Sequence, residues 1–309
     1  MLLCFGIVLS CTLSAQALTP KQQKSYYNKC VAAERIIFDQ YYKKTFNKKA
    51  PGYGENAEYI IFSMARSSYS VPKDFYDQYY KNLKTDLKKI KSVIDPQECA
   101  KLVLVLSAMG YNASEFKEYP LLKTMCKKTN IDGSDNYMKY ATILLALDCG
   151  KYRVPNGSQY ITRGELISQV IKGCYASTRM GIDIPIMNAQ ALAPYCKKYT
   201  NAKTAKNYVF DMIYSKVKDG LLYGVNANSW TNAQVAALFG QFQCNPLKKK
   251  SMVLANNNLI QASLQRIDFI NKTHSIHFDS AQVARGFTAT IRTMKKKRPL
   301  FDCTDALKQ

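Results

Sequence analysis

The sequence predicts an all-α chain built from repeated helical hairpins. Three observations carry this: no segment alternates with period two, six compact apolar segments recur every 40 to 48 residues, and amphipathic stretches separate them. The apolar segments are Ile60–Tyr69, Leu102–Tyr111, Thr142–Tyr152, Met187–Cys196, Asn232–Phe242 and Ser280–Thr290, with starts 42, 40, 45, 45 and 48 residues apart. Each is apolar nearly all round, which predicts a buried helix rather than a surface one. Gly110 and Gly150 stand where left-handed helix ends fall.

The stretches between them differ in character. Tyr76, Tyr79, Tyr80, Leu83, Leu87 and Ile90 recur at spacings of three and four, while Asp77, Lys81, Lys84, Asp86 and Lys88 take the other face. Leu166, Ile167, Val170 and Ile171 form a similar stripe, as do Ala205, Tyr208, Val209 and Met212. Each repeat is thus one buried and one half-exposed helix. Six such hairpins can stack as an open solenoid or close into a double ring.

At the N-terminus, Leu2–Leu13 is an apolar run of 12 residues followed by Ser14-Ala15-Gln16-Ala17. This fits a secretory signal cleaved after Ala17, although its first residues carry no Lys or Arg. Twelve residues are too few to span a bilayer, and no later run reaches 18, so an extracellular monomer without a membrane span is expected. Residues 18–54 read as a helix and arm, 55–303 as the body and 304–309 as a tail.

Eight cysteines follow the cleavage point: Cys30, Cys99, Cys126, Cys149, Cys174, Cys196, Cys244 and Cys303. An even set in an exported chain predicts up to four disulfides, with the connectivity open. None forms a C-x-x-C pair. Glycosylation sequons occur at Asn112, Asn156 and Asn271.

The chain is 47% hydrophobic and 21% charged, which excludes disorder and permits a core that folds without metal or cofactor. Its net charge is +22, from 35 Lys and nine Arg against 22 Asp and Glu. Lysine suits diffuse attraction better than bidentate readout of phosphate or bases. The densest basic runs are Lys248–Lys250 and Lys295–Arg298, and no nucleic-acid motif accompanies them. A solvated lysine-rich face is the first reading, and attraction to anionic glycans or a cell surface the sharper one.

Several motifs carry a resemblance. Gly181-Ile-Asp-Ile-Pro-Ile-Met-Asn-Ala-Gln-Ala-Leu-Ala-Pro-Tyr-Cys196, Lys218-Asp-Gly-Leu-Leu-Tyr-Gly224, Ser229-Trp-Thr-Asn-Ala-Gln-Val235 and Tyr59–Arg66 with Val71–Phe75 resemble segments of the terpenoid-cyclase/prenyltransferase-like superfamily. The likeness covers about residues 55 to 302 and implies a closed α6/α6 toroid. Ile143–Cys149, Ile182–Cys196 and Phe301-Asp302-Cys303 resemble the α domain of secreted cobalamin carriers, cysteines included. That resemblance implies the pairs Cys149–Cys196, Cys30–Cys244, Cys99–Cys303 and Cys126–Cys174, and cobalamin as a possible ligand. Two departures stand out: the residues after Cys303 supply no β domain, and the loop Tyr175–Asp183 holds no His.

Known chemistries of this superfamily find little support. Asp132-Gly-Ser-Asp135 lacks the doublet of a D-x-D-D acid, no Asp-Asp pair exists, and Trp230 is the sole Trp. Asp302-Cys303 lacks the spacer of a prenyltransferase zinc site, and His274-Ser-Ile-His277 is the only His pair. What remains is a polar cluster at the predicted starts of the inner helices: Tyr137, Tyr140, Asp183, Asn188, Asn226, Trp230, Asp279 and Gln282. Helix capping explains such residues in part; a ligand mouth explains them equally. The expectation is a non-catalytic binder of a bulky, partly apolar small molecule, a corrinoid first. The alternative is an enzyme, either terpenoid-cyclase-like or a lyase or hydrolase of anionic glycans using a carboxylate pair.

Overall fold

The computed structural model describes residues 18–54, 57–72, 74–131, 137–176, 181–218, 222, 229–248, 253–254, 257–265 and 278–307. The expected signal, Asn226, His274, His277 and the Asn271 sequon lie outside them. Within them the regular structure is helical, apart from a two-residue antiparallel ladder pairing Val253 with Asn258 and Leu254 with Asn257 and an isolated antiparallel bridge between Lys127 and Tyr160.

The arm opens with α1 (Pro20–Gln40), which continues into a π-turn at Tyr41–Thr45. Its start is written in the sequence: Gln22 N–H donates to Thr19 Oγ1, Thr19 N–H donates to Gln22 Oε1, and Pro20 takes the first helical position. There follow α2 (Glu58–Arg66), α3 (Phe75–Leu87), α4 (Pro96–Ala108), α5 (Leu121–Cys126), α6 (Lys128–Ile131), α7 (Tyr137–Cys149), α8 (Arg163–Cys174) and α9 (Asp183–Ala191). Then come α10 (Thr200–Lys218), α11 (Ser229–Gln241), α12 (helical over 259–265) and α13 (Phe278–Met294). No helix among the described residues is long and apolar enough to cross a membrane.

The six repeating apolar segments fall in α2, α4, α7, α9, α11 and α13. Each of these packs on the next, and α13 packs back on α2. Starts meet starts, as where Lys139 Nζ reaches Asp95 Oδ2 at 2.8 Å. Ends meet ends, as where Ser107 Oγ and Tyr152 Oη share a 2.8 Å hydrogen bond. Neighbours in this inner set therefore run parallel. Outside it, α5 lies on α4, α8 on α7 and α9, α10 on α8 and α9, and α1 on α13. Aromatic contacts dock α3: Phe75 meets Tyr42 edge-on, and Tyr80 stacks on Tyr111 at 4.0 Å.

The repeat is legible in side-chain bonding. Gln190, Gln234 and Gln282 occupy the same place in successive units. Gln190 Nε2 donates to Gln234 Oε1 at 3.0 Å, and Gln234 Nε2 reaches Gln282 Oε1 at 3.5 Å. All three are buried, so the chain of amides satisfies groups that would otherwise be costly. Nearby, the buried Arg285 guanidinium lies 4.6 Å from the centre of the Tyr59 ring.

Four inner helices end the same way. Two residues beyond α4, α7, α11 and α13 stand Gly110, Lys151, Gln243 and Lys296, all at positive φ. The next N–H in each case, from Tyr111, Tyr152, Cys244 and Lys297, reaches back to the carbonyls of Leu106, Leu147, Phe239 and Arg292 at 2.7 to 2.9 Å. This is a Schellman turn repeated four times. Gly110 plays the expected part, but Gly150 does not. Lys151 takes the left-handed position there, and Gly150 makes room for Tyr152, whose ring would lie 2.6 Å from an added Cβ. A non-glycine residue pays about 1 kcal/mol in that conformation. Changing the exposed Lys296 to Gly should therefore stabilise the fold by about 0.5 kcal/mol, net of glycine's entropy, as read by urea denaturation.

The disulfide framework is a correction. All eight cysteines are free thiols: Cys196 and Cys244 are half-buried, and Cys30, Cys99, Cys126, Cys149, Cys174 and Cys303 are buried. None of the pairs implied by the resemblance is formed. The sulfur neighbour of Cys149 is Cys303, and that of Cys174 is Cys196. The physical reason is that the helix contacts supply one large core in which a thiol packs as a small apolar group. Burial pushes the Cys99 and Cys126 thiols up to about 12.

Candidate functional site

The ends of α7, α9 and α11 surround a cavity of about 470 Å³, closed on one side by Pro299, Phe301 and Asp302. Leu145, Ala191 and Phe301 give it apolar walls; Asp148, Gln241, Lys151 and Lys197 give it polar ones. The Schellman turn after α7 folds the chain back sharply and leaves Asp148 on the wall, beside the Lys151 position.

Asp148 is held from one side only. Arg163, at the first position of α8, donates from Nη1 to Asp148 Oδ1 and to Tyr195 Oη, and from Nη2 to the Tyr152 carbonyl at 2.7 Å. Tyr195, from the 3₁₀ turn Ala193–Tyr195, donates its hydroxyl to the same Asp148 Oδ1 at 2.9 Å. Oδ2 is buried and has no partner, and the same is true of Oε1 of Gln241, another lining residue. Buried acceptors without donors cost roughly 1–3 kcal/mol each.

The electrostatics follow from this placement. Burial raises the Asp148 carboxyl above the usual range, and the Arg163 guanidinium and the Tyr195 hydroxyl only partly offset it. Burial likewise raises Tyr195, reinforced by the Asp148 charge. Asp302 goes the other way: burial opposes its ionisation, but bonds from Thr304 and Arg298 hold its carboxyl below the usual range. The cavity thus carries two carboxylates of different acidity and two cations. It offers an anion two lysines. Among the described residues no group of three His, Cys, Asp or Glu side chains is placed to hold a metal ion.

No family model matches this chain, and no curated protein matches it.

Of the residues singled out from the sequence, Tyr137, Tyr140, Asp183 and Trp230 lie at the other ends of the same helices. Tyr137 and Tyr140 are half-buried in the first turn of α7, and Trp230 is half-buried in the first turn of α11. Asp183 opens α9 and is 8% exposed. Burial raises its carboxyl, a bond with Thr231 of α11 opposes this, and Oδ1 has no partner. Gln282 belongs to the glutamine chain. Asn188 is fully buried, donates to the Ile184 carbonyl at 2.9 Å, and fills the space left by Gly173, where an added Cβ would lie 2.4 Å from its amide. Its place is the contact between α8 and α9. Asp279 is helical by backbone, but its side chain is outside the described residues, as is all of Asn226. The structure brings Asp183 to Thr231 and Gln282 to Gln234.

The cavity at the opposite ends was not foreseen. One signal was visible, a single Asp ending the apolar run Ile143–Leu147. Arg163 and Tyr195, 15 and 47 residues away, carry no local mark of their convergence on it.

Proposed function

We propose that this chain is an exported, non-catalytic ligand-binding protein with an α6/α6-toroid body, and that its ligand enters the cavity at the C-terminal ends of α7, α9 and α11. The closed cycle of parallel inner helices, with α1, α5, α8 and α10 outside, supports the toroid reading. The observation that carries the functional reading is an apolar-walled cavity whose polar lining is Asp148, Gln241, Lys151, Lys197 and Asp302. A volume of about 470 Å³ falls in the range of small-molecule pockets. The matching ligand has an apolar body, N–H or O–H donors, and a negative group within reach of Lys151 and Lys197. A corrinoid, the ligand class implied by the resemblance, offers amide donors but is larger than the cavity and would leave much of its ring outside.

The test uses two probes: 8-anilinonaphthalene-1-sulfonate, which joins an N–H to apolar rings and an anion, and cyanocobalamin. We expect the fluorescent probe to bind at one site with Kd below about 100 μM, roughly −5.5 kcal/mol. Ala193→Trp, on the cavity wall, should weaken that binding at least tenfold. Equal binding of both probes by wild type and variant, or no binding by either, overturns the reading.

One observation favours a second reading, a hydrolase or lyase. Asp148 and Asp302 line one cavity with their acidities pushed in opposite directions, the pattern of an acid and a base working together. Turnover of an anionic glycan that disappears in Asp148→Asn, with the fold intact by circular dichroism, would replace binding by catalysis.

A further inference from the structure

Residues 299–305 lie across the ends of the inner helices as a strap. Leu300, Phe301 and Cys303 are buried, and Phe301 stacks on Phe62 of α2 with ring centres 5.4 Å apart. Two arginines fasten the strap. Arg66 donates to the Leu300 and Asp302 carbonyls at 3.0 and 2.6 Å and pairs with Asp305 at 2.6 Å. Arg292 pairs with the other Asp305 oxygen at 2.8 Å and donates to the Arg66 carbonyl at 2.7 Å. Both guanidiniums are almost wholly buried, so Asp305 is the counter-charge on which the strap's seat depends.

A third fastening is unused. The Cys303 N–H donates to the Cys149 carbonyl at 2.9 Å. That bond brings the two backbones into direct contact, and a disulfide needs α-carbons within about 7 Å of each other. Both cysteines are fully buried, and each thiol is close enough to feel the other's charge. No other pair of the eight combines a backbone bond with thiol contact.

We propose that Cys149 and Cys303 are a redox modification site, a reversible disulfide that locks the C-terminal strap over the inner helices. The oxidant is a small-molecule disulfide such as oxidised glutathione. With the strap raised, the Cys303 thiol gives up its proton and its sulfur attacks the glutathione disulfide. That S–S bond breaks, a mixed disulfide forms, and the departing glutathione sulfur is protonated. As the strap closes, Cys149 loses its proton and attacks the Cys303 sulfur, expelling the second glutathione, which is protonated in turn. Two protein thiols are oxidised and one glutathione disulfide is reduced to two thiols. Burial raises the Cys149 thiol well above its ordinary range, so the closed strap protects the pair and exchange proceeds through the opened one. The strap also closes one side of the cavity, so its test contains no ligand.

The experiment treats the full chain with oxidised glutathione, quenches in acid, alkylates in denaturant and maps tryptic peptides by mass spectrometry. We expect residues 140–151 joined to residues 298–308, and the bond lost on treatment with dithiothreitol. Recovery of Cys149 and Cys303 as separate alkylated thiols, or of either bonded to another cysteine, overturns the proposal. Asp305→Asn, which loosens the strap without touching a cysteine, should speed cross-linking about tenfold. A rate within twofold of wild type would overturn the strap as the element that moves. Cys303→Ser should leave Cys149 alkylated after the same oxidation; a Cys149 disulfide surviving in that variant would also defeat the assignment.

Discussion

Replacing Gly286 with alanine should destabilise the fold by about 3 kcal/mol and lower the melting temperature by several degrees. Gly286 lies on α13 against α11, and an added Cβ would stand 2.9 Å from the Ala233 Cα and 3.1 Å from its carbonyl oxygen. Both are backbone atoms of a buried helix, with no rotamer to retreat into. The same surfaces meet again at Gly240, whose Cβ would lie 2.9 Å from the Ala289 Cβ and 3.1 Å from its carbonyl. The two helices therefore approach through small residues at both crossings, and one methyl pushes the pair apart along its length. Gly164→Ala is the control. Its Cβ meets nothing nearer than Thr162 Oγ1 at 4.0 Å, so helix propensity should make it neutral or stabilising by about 0.5 kcal/mol. Melting curves that place the two variants together would show that α11 and α13 do not pack this closely.

The second large effect is a dependence on pH centred on Glu34 of α1. This side chain is buried against α13, its Oε1 2.5 Å from Thr288 Oγ1. The threonine hydroxyl has one proton and also lies 3.0 Å from the Ala284 carbonyl. When that proton goes to Ala284, the short contact takes its proton from Glu34. Burial pushes the Glu34 carboxyl up to about 7, against opposing contributions from Thr288 and Lys297. In the unfolded chain it titrates near 4.3. Between those values the folded state binds more protons than the unfolded state. The stabilisation is complete below about pH 4.3 and is lost as pH rises through about 7, a change of about 3 kcal/mol. Glu34→Gln keeps a donor for Thr288 and has no charge to bury. Urea denaturation should find it about 3 kcal/mol more stable than wild type at pH 8 and close to it at pH 4. Equal stabilities at pH 8 would contradict the assignment.

The helices were legible because burial on all sides leaves a mark that no surface helix shares. Ile60, Leu102, Ile143, Met187, Val235 and Val283 fall in equivalent apolar runs, and every one is buried. The repeat even aligns Gln190, Gln234 and Gln282, although the sequence alone gave no reason to expect amides bonded in a chain. The helix ends were half legible. Gly110 marks a left-handed residue because glycine adopts it freely, whereas Lys151, Gln243 and Lys296 occupy the same conformation under pressure from the packed helices. The cysteines misled for a compositional reason: an even number fits a disulfide framework, but it fits a core that uses thiols as small apolar groups equally well. The site misled for a geometric one. Polar residues at helix starts advertise themselves, while Asp148, Arg163 and Tyr195 meet only once α7, α8 and the turn after α9 are in place.

The return of α13 to α2 bears on how the protein is made. Arg292 grips the Arg66 carbonyl across 226 residues of chain, and α1 also rests on α13. The last inner helix to emerge from the ribosome is thus the one that the first helices require. Through most of synthesis α2 has an apolar flank and α1 a docking face with nothing to cover them. Early hairpins gain little by waiting in native order, because closure carries a loop-entropy cost that no intermediate length can avoid. Folding should come as a late, concerted step after translation of Met294, and until then the exposed flanks are substrates for holdase chaperones and seeds for aggregation.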